Sequence, residues 1–196
     1  MPSVEDIQQY MTGAWRLMLG KPDGMRLLDI SVDGFWNSFF AIIVALPALA
    51  ASWIAVANDI TELADMGSRL SIVLRFAVVD IGAWVLPLGA LALVARPAGI
   101  ADRLVHYVVA TNWGSALLVW LMLPPAVLKL FFPAAQDVSA ALSLLLFLAS
   151  LVLSWRLTNA AIGKGAGLGS AVFVAMFVAS LAVLFVLQAL LGLGRI

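Results

Sequence analysis

Hydrophobic residues occur in five long runs along the chain, with short polar connections between them. The runs cover residues 35–57, 70–94, 104–128, 138–155 and 168–193. A helix needs around 20 apolar residues to cross the roughly 30 Å hydrocarbon core of a bilayer. The pattern therefore predicts an all-α fold, a polytopic transmembrane bundle of about five membrane-spanning helices.

Residues 1–34 precede the first run and show a different pattern. Ser3 and Asp6 have the spacing of a capping box, which marks the start of a helix. Apolar side chains then recur at helical spacing, at Val4, Ile7, Met11, Ala14, Trp15 and Met18. This predicts an N-terminal amphipathic helix, either lying in the headgroup region or packed on the bundle as a cytoplasmic flap. We expect two units, residues 1–34 and the transmembrane domain of residues 35–196.

The composition agrees with a membrane protein and excludes several functions. Of the 196 residues, 64% are hydrophobic and 11% are charged, whereas soluble domains carry roughly 25% charged residues. The apolar surplus must face a lipid bilayer. A formal net charge of zero gives no case for nucleic-acid binding. The chain has no cysteine and one histidine, so we expect no cofactor and no metal site.

The basic residues predict an orientation in the membrane. Five crossings place seven of them on the N-terminal side, at Arg16, Lys21, Arg26, Arg96, Arg103, Arg156 and Lys164. Four fall on the opposite side, at Arg69, Arg75, Lys129 and Arg195. The bias predicts a multi-pass protein of the bacterial inner membrane, with a cytoplasmic N-terminus and an exported C-terminus.

Asp80 is the charged residue that most needs an explanation. Taking 1.5 Å per residue, it lies about 15 Å deep if the second helix begins at residue 70 and only about 6 Å deep if it begins at residue 76. An ionised carboxylate at such depth costs roughly 2.5–3.5 kcal/mol and usually faces the protein interior. Arg75 is five residues earlier, which puts it on another face of the helix. Asp80 is thus either a proton-accepting or cation-binding group, or a structural acid bonded to another helix.

Other polar residues extend this candidate site. Asn112 and Gln188 lie within the third and fifth runs, and either amide could satisfy Asp80 across helices. With Arg75 these residues form the candidate intramembrane polar site. His106 could ligate a metal or shuttle protons, or it is simply a solvated histidine at the membrane rim.

Glycine, proline and alanine patterns predict local features. The run of residues 163–169, GKGAGLG, lacks the spacing of a phosphate-binding loop and predicts a turn. Prolines at positions 47, 87 and 124–125 are expected to kink or end their helices. Small-residue ridges occur on the fifth helix, at Ala171, Ala175 and Ala179, and on the first, at Ala41 with Ala45 and Ala51 with Ala55. They serve packing within the chain or association with other membrane proteins or a second copy.

The layout of five helices with a cytoplasmic N-terminal segment resembles that of the Yip1 family, small polytopic proteins associated with membrane trafficking. Asp80-Ile81-Gly82 is similar to that family's Asp-Leu-Tyr-Gly-Pro stretch, although the Tyr and the adjoining Pro are missing. Residues 33–39, DGFWNSF, followed by Pro47, also resemble an uncharacterised bacterial inner-membrane family. The second resemblance implies no particular activity.

Three classes of function are compatible with this pattern. The first is a non-enzymatic scaffold, assembly factor or accessory subunit of the inner membrane, which fits the absence of a catalytic motif. The alternative is a small oligomeric transporter or channel with Asp80 in its polar path. An intramembrane enzyme ranks last, because hydrolysis needs paired groups such as a serine beside His106.

Overall fold

The computed structural model describes residues 1–60 and 66–193, so Arg195 lies outside the described residues. The described part consists of helices and contains no strand. Short 3-10 helices occur at Pro22–Leu27, Ala101–Arg103 and Pro133–Ala135. The α-helices are α1 (Val4–Met18), α2 (Val32–Ser38), α3 (Phe40–Ile60), α4 (Met66–Val94), α5 (Leu104–Leu121), α6 (Leu123–Phe131), α7 (Gln136–Ile162) and α8 (Ala166–Leu190).

Five stretches of this bundle are long and apolar enough to cross a membrane. They are Val32–Asn58, Arg69–Val94, Ala101–Phe131, Gln136–Ile162 and Ala166–Leu190. Large hydrophobic side chains remain exposed along α4, α7 and α8, as expected for surfaces that face lipid tails. The predicted all-α bundle of about five spans is confirmed.

Two of the five spans are broken. The first has a turn at Phe39 between α2 and α3, and the third has one at Met122 between α5 and α6. The second break is the one that the prolines predicted, because α6 carries Pro124 in its first turn. The first break was not predicted. Pro47 and Pro87 lie inside α3 and α4 without ending either helix.

The helix of the fourth span is longer than the predicted span of residues 138–155. The helix α7 continues to Ile162, and several of its last polar side chains are buried or hydrogen-bonded. Arg156 donates from Nη2 to the carbonyl of Leu19 at 2.8 Å. Thr158 is buried, and Nδ2 of Asn159 donates to the carbonyl of Trp155 at 2.9 Å.

The N-terminal helix α1 packs on the bundle. Its predicted capping box is present, with the Ser3 hydroxyl accepting from the Asp6 amide and the Asp6 carboxylate accepting from the Ser3 amide. Ala14, Leu17 and Met18 are fully buried against α5 and α7. Trp15 remains 42% exposed. Of the two interpretations of this helix, these contacts agree with a flap packed on the bundle.

The glycine-rich run forms the predicted turn between the last two spans. Gly163 and Gly165 adopt φ values of +60° and +93°, a region that L-residues with a Cβ rarely enter. Between them, Nζ of Lys164 donates to Oδ1 of Asp102 at 2.6 Å and to the carbonyl of Gly99 at 2.7 Å. The turn is therefore tied to the connection that precedes α5.

The two alanine ridges have different surroundings. On α3, Ala41, Ala45 and Ala55 are buried within the chain, so this ridge serves internal helix packing. On α8, Ala171 and Ala175 are exposed. The sequence could not distinguish internal packing from association, and the fold assigns internal packing to the α3 ridge and leaves Ala171 and Ala175 of the α8 ridge uncovered.

Candidate functional site

Asp80 lies at the exact middle of α4. Fourteen residues separate it from Met66 at one end and from Val94 at the other, about 21 Å at 1.5 Å per residue. Measured from Arg69, where the apolar span begins, the carboxylate lies about 16 Å along the helix, which is the depth that the sequence indicates for a helix beginning near residue 70. Its position is close to where burying a charge in a bilayer costs most.

One hydrogen bond supports this carboxylate. The indole nitrogen of Trp53 on α3 donates to Oδ2 of Asp80 at 2.7 Å. Within the described residues no lysine, arginine or histidine pairs with Asp80, and Oδ1 receives no hydrogen bond. The aspartate is thus only partly satisfied by the protein itself.

Asp80 is half-buried and forms part of the wall of a cavity of about 450 Å³. The cavity lies between α3, α4, α5, α7 and α8, and Met18 of α1 also contributes to its wall. Apolar wall positions include Leu49, Leu88, Leu118, Val119, Leu151, Leu157 and Met176. A cavity of this size accommodates an organic molecule.

Hydroxyl groups occupy much of the remaining wall. Thr111 donates to the carbonyl of Tyr107 at 2.7 Å, and the side chains of Tyr107 and Thr158 also lie on this wall. By contrast, Ser115, Ser154 and Ser180 have no hydrogen-bond partner in the described part of the chain. These three hydroxyls are available, with Asp80, to a molecule inside the cavity.

Asn112 belongs to a separate buried network beside the cavity. Its Oδ1 accepts from Nε1 of Trp84 at 2.9 Å, and its Nδ2 donates to Oγ of Ser38 at 2.8 Å. The Ser38 hydroxyl donates in turn to the carbonyl of Phe35. The bond from Asn112 to Asp80, which the sequence allowed, is not formed, because both ends of the amide are hydrogen-bonded to side chains on two other helices.

Gln188 and Arg75 do not join the site either. No hydrogen bond links Gln188 to Asp80 among the residues described. Arg75 donates from Nη1 to the carbonyl of Leu191 at 2.9 Å, where it satisfies a carbonyl left free at the end of α8. Of the four residues in the predicted polar site, Asp80 alone lines the cavity.

His106 lies one residue before Tyr107, outside the cavity wall. Its Nδ1 is buried and has no hydrogen-bond partner among the described residues. Among the described side chains, no serine is hydrogen-bonded to His106. The described residues also contain no group of three His, Cys, Asp or Glu side chains that could hold a metal.

Sequence reasoning missed Trp53 and the hydroxyl groups of the cavity. A signal for the hydroxyls was present, since Thr111 and Ser115 are spaced by four residues, as are Ser154 and Thr158. Such pairs lie on one face of a helix, which the cavity wall uses on both α5 and α7. No comparable pattern pointed to Trp53, which is one of seven tryptophans.

No family model, no curated protein and no solved structure matches the chain. The resemblance to the Yip1 family and to a bacterial inner-membrane family stays a prediction.

Proposed function

We propose that this protein is a small membrane carrier that holds one organic molecule in the cavity beside Asp80. The observation that carries the proposal is the placement of a partly satisfied carboxylate on the wall of a partly open cavity between the membrane-spanning helices. Intramembrane acids of this kind are typical of substrate, ion and proton pathways. A purely structural aspartate has no need of an adjoining cavity.

A single chain supplies the cavity. Its wall takes residues from α1, α3, α4, α5, α7 and α8. The proposal therefore does not require the oligomer that five helices first indicated, although it permits one. Met18 is well placed to separate the cavity from the side on which α1 packs.

The proposal is tested by asking whether water reaches the cavity. The chain has no cysteine, so Ser154→Cys on the cavity wall provides a unique thiol. Ser150→Cys, one turn earlier on the same helix and absent from that wall, is the matched control. A charged, water-soluble methanethiosulfonate reagent is applied to right-side-out and to inside-out membrane vesicles.

A carrier exposes its site to water on each side in turn. We expect Ser154→Cys to react at least about tenfold faster than Ser150→Cys in both vesicle preparations. Reaction from one side only, or no difference between the two thiols, would show that the cavity is closed or dry and would overturn the carrier.

The proposal includes a location in the bacterial inner membrane with the N-terminus in the cytoplasm. With five crossings, seven of the eleven basic residues fall on the N-terminal side of the membrane, and this excess supports the orientation. In intact spheroplasts, Phe132→Cys is expected to react with an impermeant maleimide, whereas Lys164→Cys is expected to react only after lysis. The reverse labelling pattern would invert the orientation.

A second candidate is a scaffold or accessory subunit that binds another membrane protein. The exposed Ala171 and Ala175 on α8 favour it, because small residues let helices approach closely. Cross-linking through Ala175→Cys, with the lipid-facing Val152→Cys on α7 as control, is expected to capture a partner or a second copy. Recovery of the monomer alone from both variants would count against the scaffold.

A further inference from the structure

The charges on the cavity wall discriminate between classes of occupant. Asp80 is the one formally charged side chain among the described residues that line the cavity. No lysine, arginine or histidine lies on that wall. An anionic molecule would meet a carboxylate and no compensating cation, so the wall disfavours anions.

The size of the cavity points to an organic molecule. Its volume of about 450 Å³ falls within the range of roughly 300–1,000 Å³ that small-molecule sites occupy. A bare metal ion would touch only a small part of this wall. One carboxylate and scattered hydroxyls also lack the cluster of ligands that a divalent ion requires.

The hydrogen-bonding state of Asp80 indicates what such a molecule would carry. Trp53 occupies Oδ2, whereas Oδ1 lacks a donor in the described structure. A protonated amine would donate to Oδ1 and neutralise the charge, and charge-assisted bonds of this type are stronger than neutral ones. The hydroxyl oxygens of Ser154 and Ser180 can accept hydrogen bonds from the remaining N–H groups of the amine.

Aromatic rings form another part of the same wall. Phe173 and Phe177 of α8 are nearly parallel, with ring centroids 6.2 Å apart. Trp84 also lines the cavity, and Asn112 holds its indole in place. Aromatic faces attract cations and bury apolar groups, so they complement a molecule that combines a positive charge with a ring.

We infer that the cavity binds a small aromatic monocation, a protonated arylalkyl amine, with Asp80 as its counter-ion. This inference rests on the proposed carrier function and names the substrate class of that same site. The single carboxylate matches a ligand charge of +1, and the apolar and aromatic side chains of the wall contact the ring and alkyl chain of the ligand.

The test measures binding to the full chain purified in detergent, by isothermal titration calorimetry at pH 7. The probes are 2-phenylethylamine, which is protonated at this pH, and 2-phenylethanol, which has nearly the same shape and no charge. We expect the amine to bind at least about tenfold more tightly than the alcohol, since hydrogen bonds to charged groups are the stronger class.

Variants separate the charge from the shape of the site. Asp80→Asn keeps an acceptor for Trp53 and is expected to weaken amine binding by about tenfold or more, with the affinity for the alcohol unchanged. Asp80→Glu is expected to retain most of the amine affinity. Ser154→Phe fills the cavity and should abolish binding, whereas Ser150→Phe, off the cavity wall, should preserve it.

The outcomes distinguish this inference from the carrier proposal. If the alcohol binds as tightly as the amine, or if Asp80→Asn leaves amine affinity unchanged, the inferred substrate class is wrong. If the thiol of Ser154→Cys reacts from both sides but the wild-type protein binds no amine, the inferred substrate class is wrong and the carrier proposal is still supported. If Ser154→Cys is unreactive and Ser154→Phe does not alter binding, both proposals fall.

Discussion

The indole nitrogen of Trp53 lies 2.7 Å from Oδ2 of Asp80 and joins the first membrane span to the middle of the second. The bond satisfies one oxygen of the carboxylate and leaves the other without a donor from the described protein. Asp80 is thereby held at the cavity wall with part of its hydrogen-bonding capacity unused. A tryptophan can do this without neutralising the charge, which an arginine or lysine would do.

Replacing Trp53 with phenylalanine is expected to destabilise the bundle. The ring is largely retained, but a deeply placed carboxylate loses its donor, so the cost should be about 1–3 kcal/mol. The free energy of unfolding can be measured by titrating the detergent-purified protein with sodium dodecyl sulfate and following circular dichroism. In an Asp80→Leu background the same substitution should cost clearly less. Equal costs in both backgrounds would mean that the hydrogen bond contributes nothing.

Asn112 is expected to contribute more to stability than an ordinary intramembrane amide. Interhelical hydrogen bonds in membranes average about 0.6 kcal/mol, but Asn112→Leu would leave two partners, the buried Ser38 and the half-buried Trp84, without their bond to Asn112. We expect a loss of about 1–3 kcal/mol, measured in the same unfolding assay. Gln188→Leu is the matched control, because that amide makes no hydrogen bond to the described residues. A loss of similar size for Gln188→Leu would contradict the role assigned to the network.

Gly24 is expected to be essential for the packing of the 3-10 helix Pro22–Leu27 against α1. A Cβ there would lie 2.4 Å from the backbone oxygen of Gly13 on α1, and backbone cannot move aside as a flexible side chain can. With Ala14→Cys as a buried reporter, Gly24→Ala should increase the rate of maleimide labelling severalfold. Gly89→Ala is the control, since a Cβ there meets nothing within 4 Å. If the labelling rate of the reporter is the same with and without Gly24→Ala, the close contact between Gly24 and Gly13 is not required.

The structure of α1 should weaken at low pH. The backbone amide and hydroxyl of Ser3 lower the pKa of Asp6, and the guanidinium of Arg16 lowers the pKa of Asp23, both from an ordinary value of 3.8. A lowered folded-state pKa stabilises the fold above the unfolded value, and this contribution is lost as the pH falls through the folded-state value. Hydrogen exchange of α1 amides, corrected for intrinsic rates, should therefore accelerate below about pH 4.

The double variant Asp6→Asn with Asp23→Asn removes both titrating groups. Its α1 amides should exchange faster than wild type at pH 6, with little additional change at pH 3. A wild-type profile without acceleration between these pH values would contradict the role of the two carboxylates.

The number of spans and their order followed from the sequence because each run is long enough to cross a bilayer and too apolar to face water. The capping box at Ser3 and the turn at Gly163 were also predictable, since both depend on residues adjacent in the chain. The full length of the fourth helix was not predictable. Arg156 and Asn159 have the polarity of a helix end, yet both lie inside α7, where Arg156 bonds to the carbonyl of Leu19 and Asn159 to the carbonyl of Trp155 one turn earlier.

The candidate site was predictable only in its central residue. A single aspartate within an apolar run identified Asp80, since the cost of burying a charge does not depend on the fold. Its partner did not follow, because Asn112, Gln188 and Trp53 are all plausible donors until the faces of their helices are known. A small rotation of an apolar helix about its axis changes which side chains meet, and sequence periodicity in a membrane does not determine that rotation.

The sequence by itself thus determined the solvent, the helical class, the five spans and the one carboxylate that requires a partner or a ligand. These properties depend on length, polarity and local backbone chemistry. The tertiary structure alone decided that Asp80 meets Trp53, that hydroxyls from α5, α7 and α8 share a cavity with it, and that α1 packs against that cavity. Those features arise from contacts between residues distant in the chain, which local patterns do not encode.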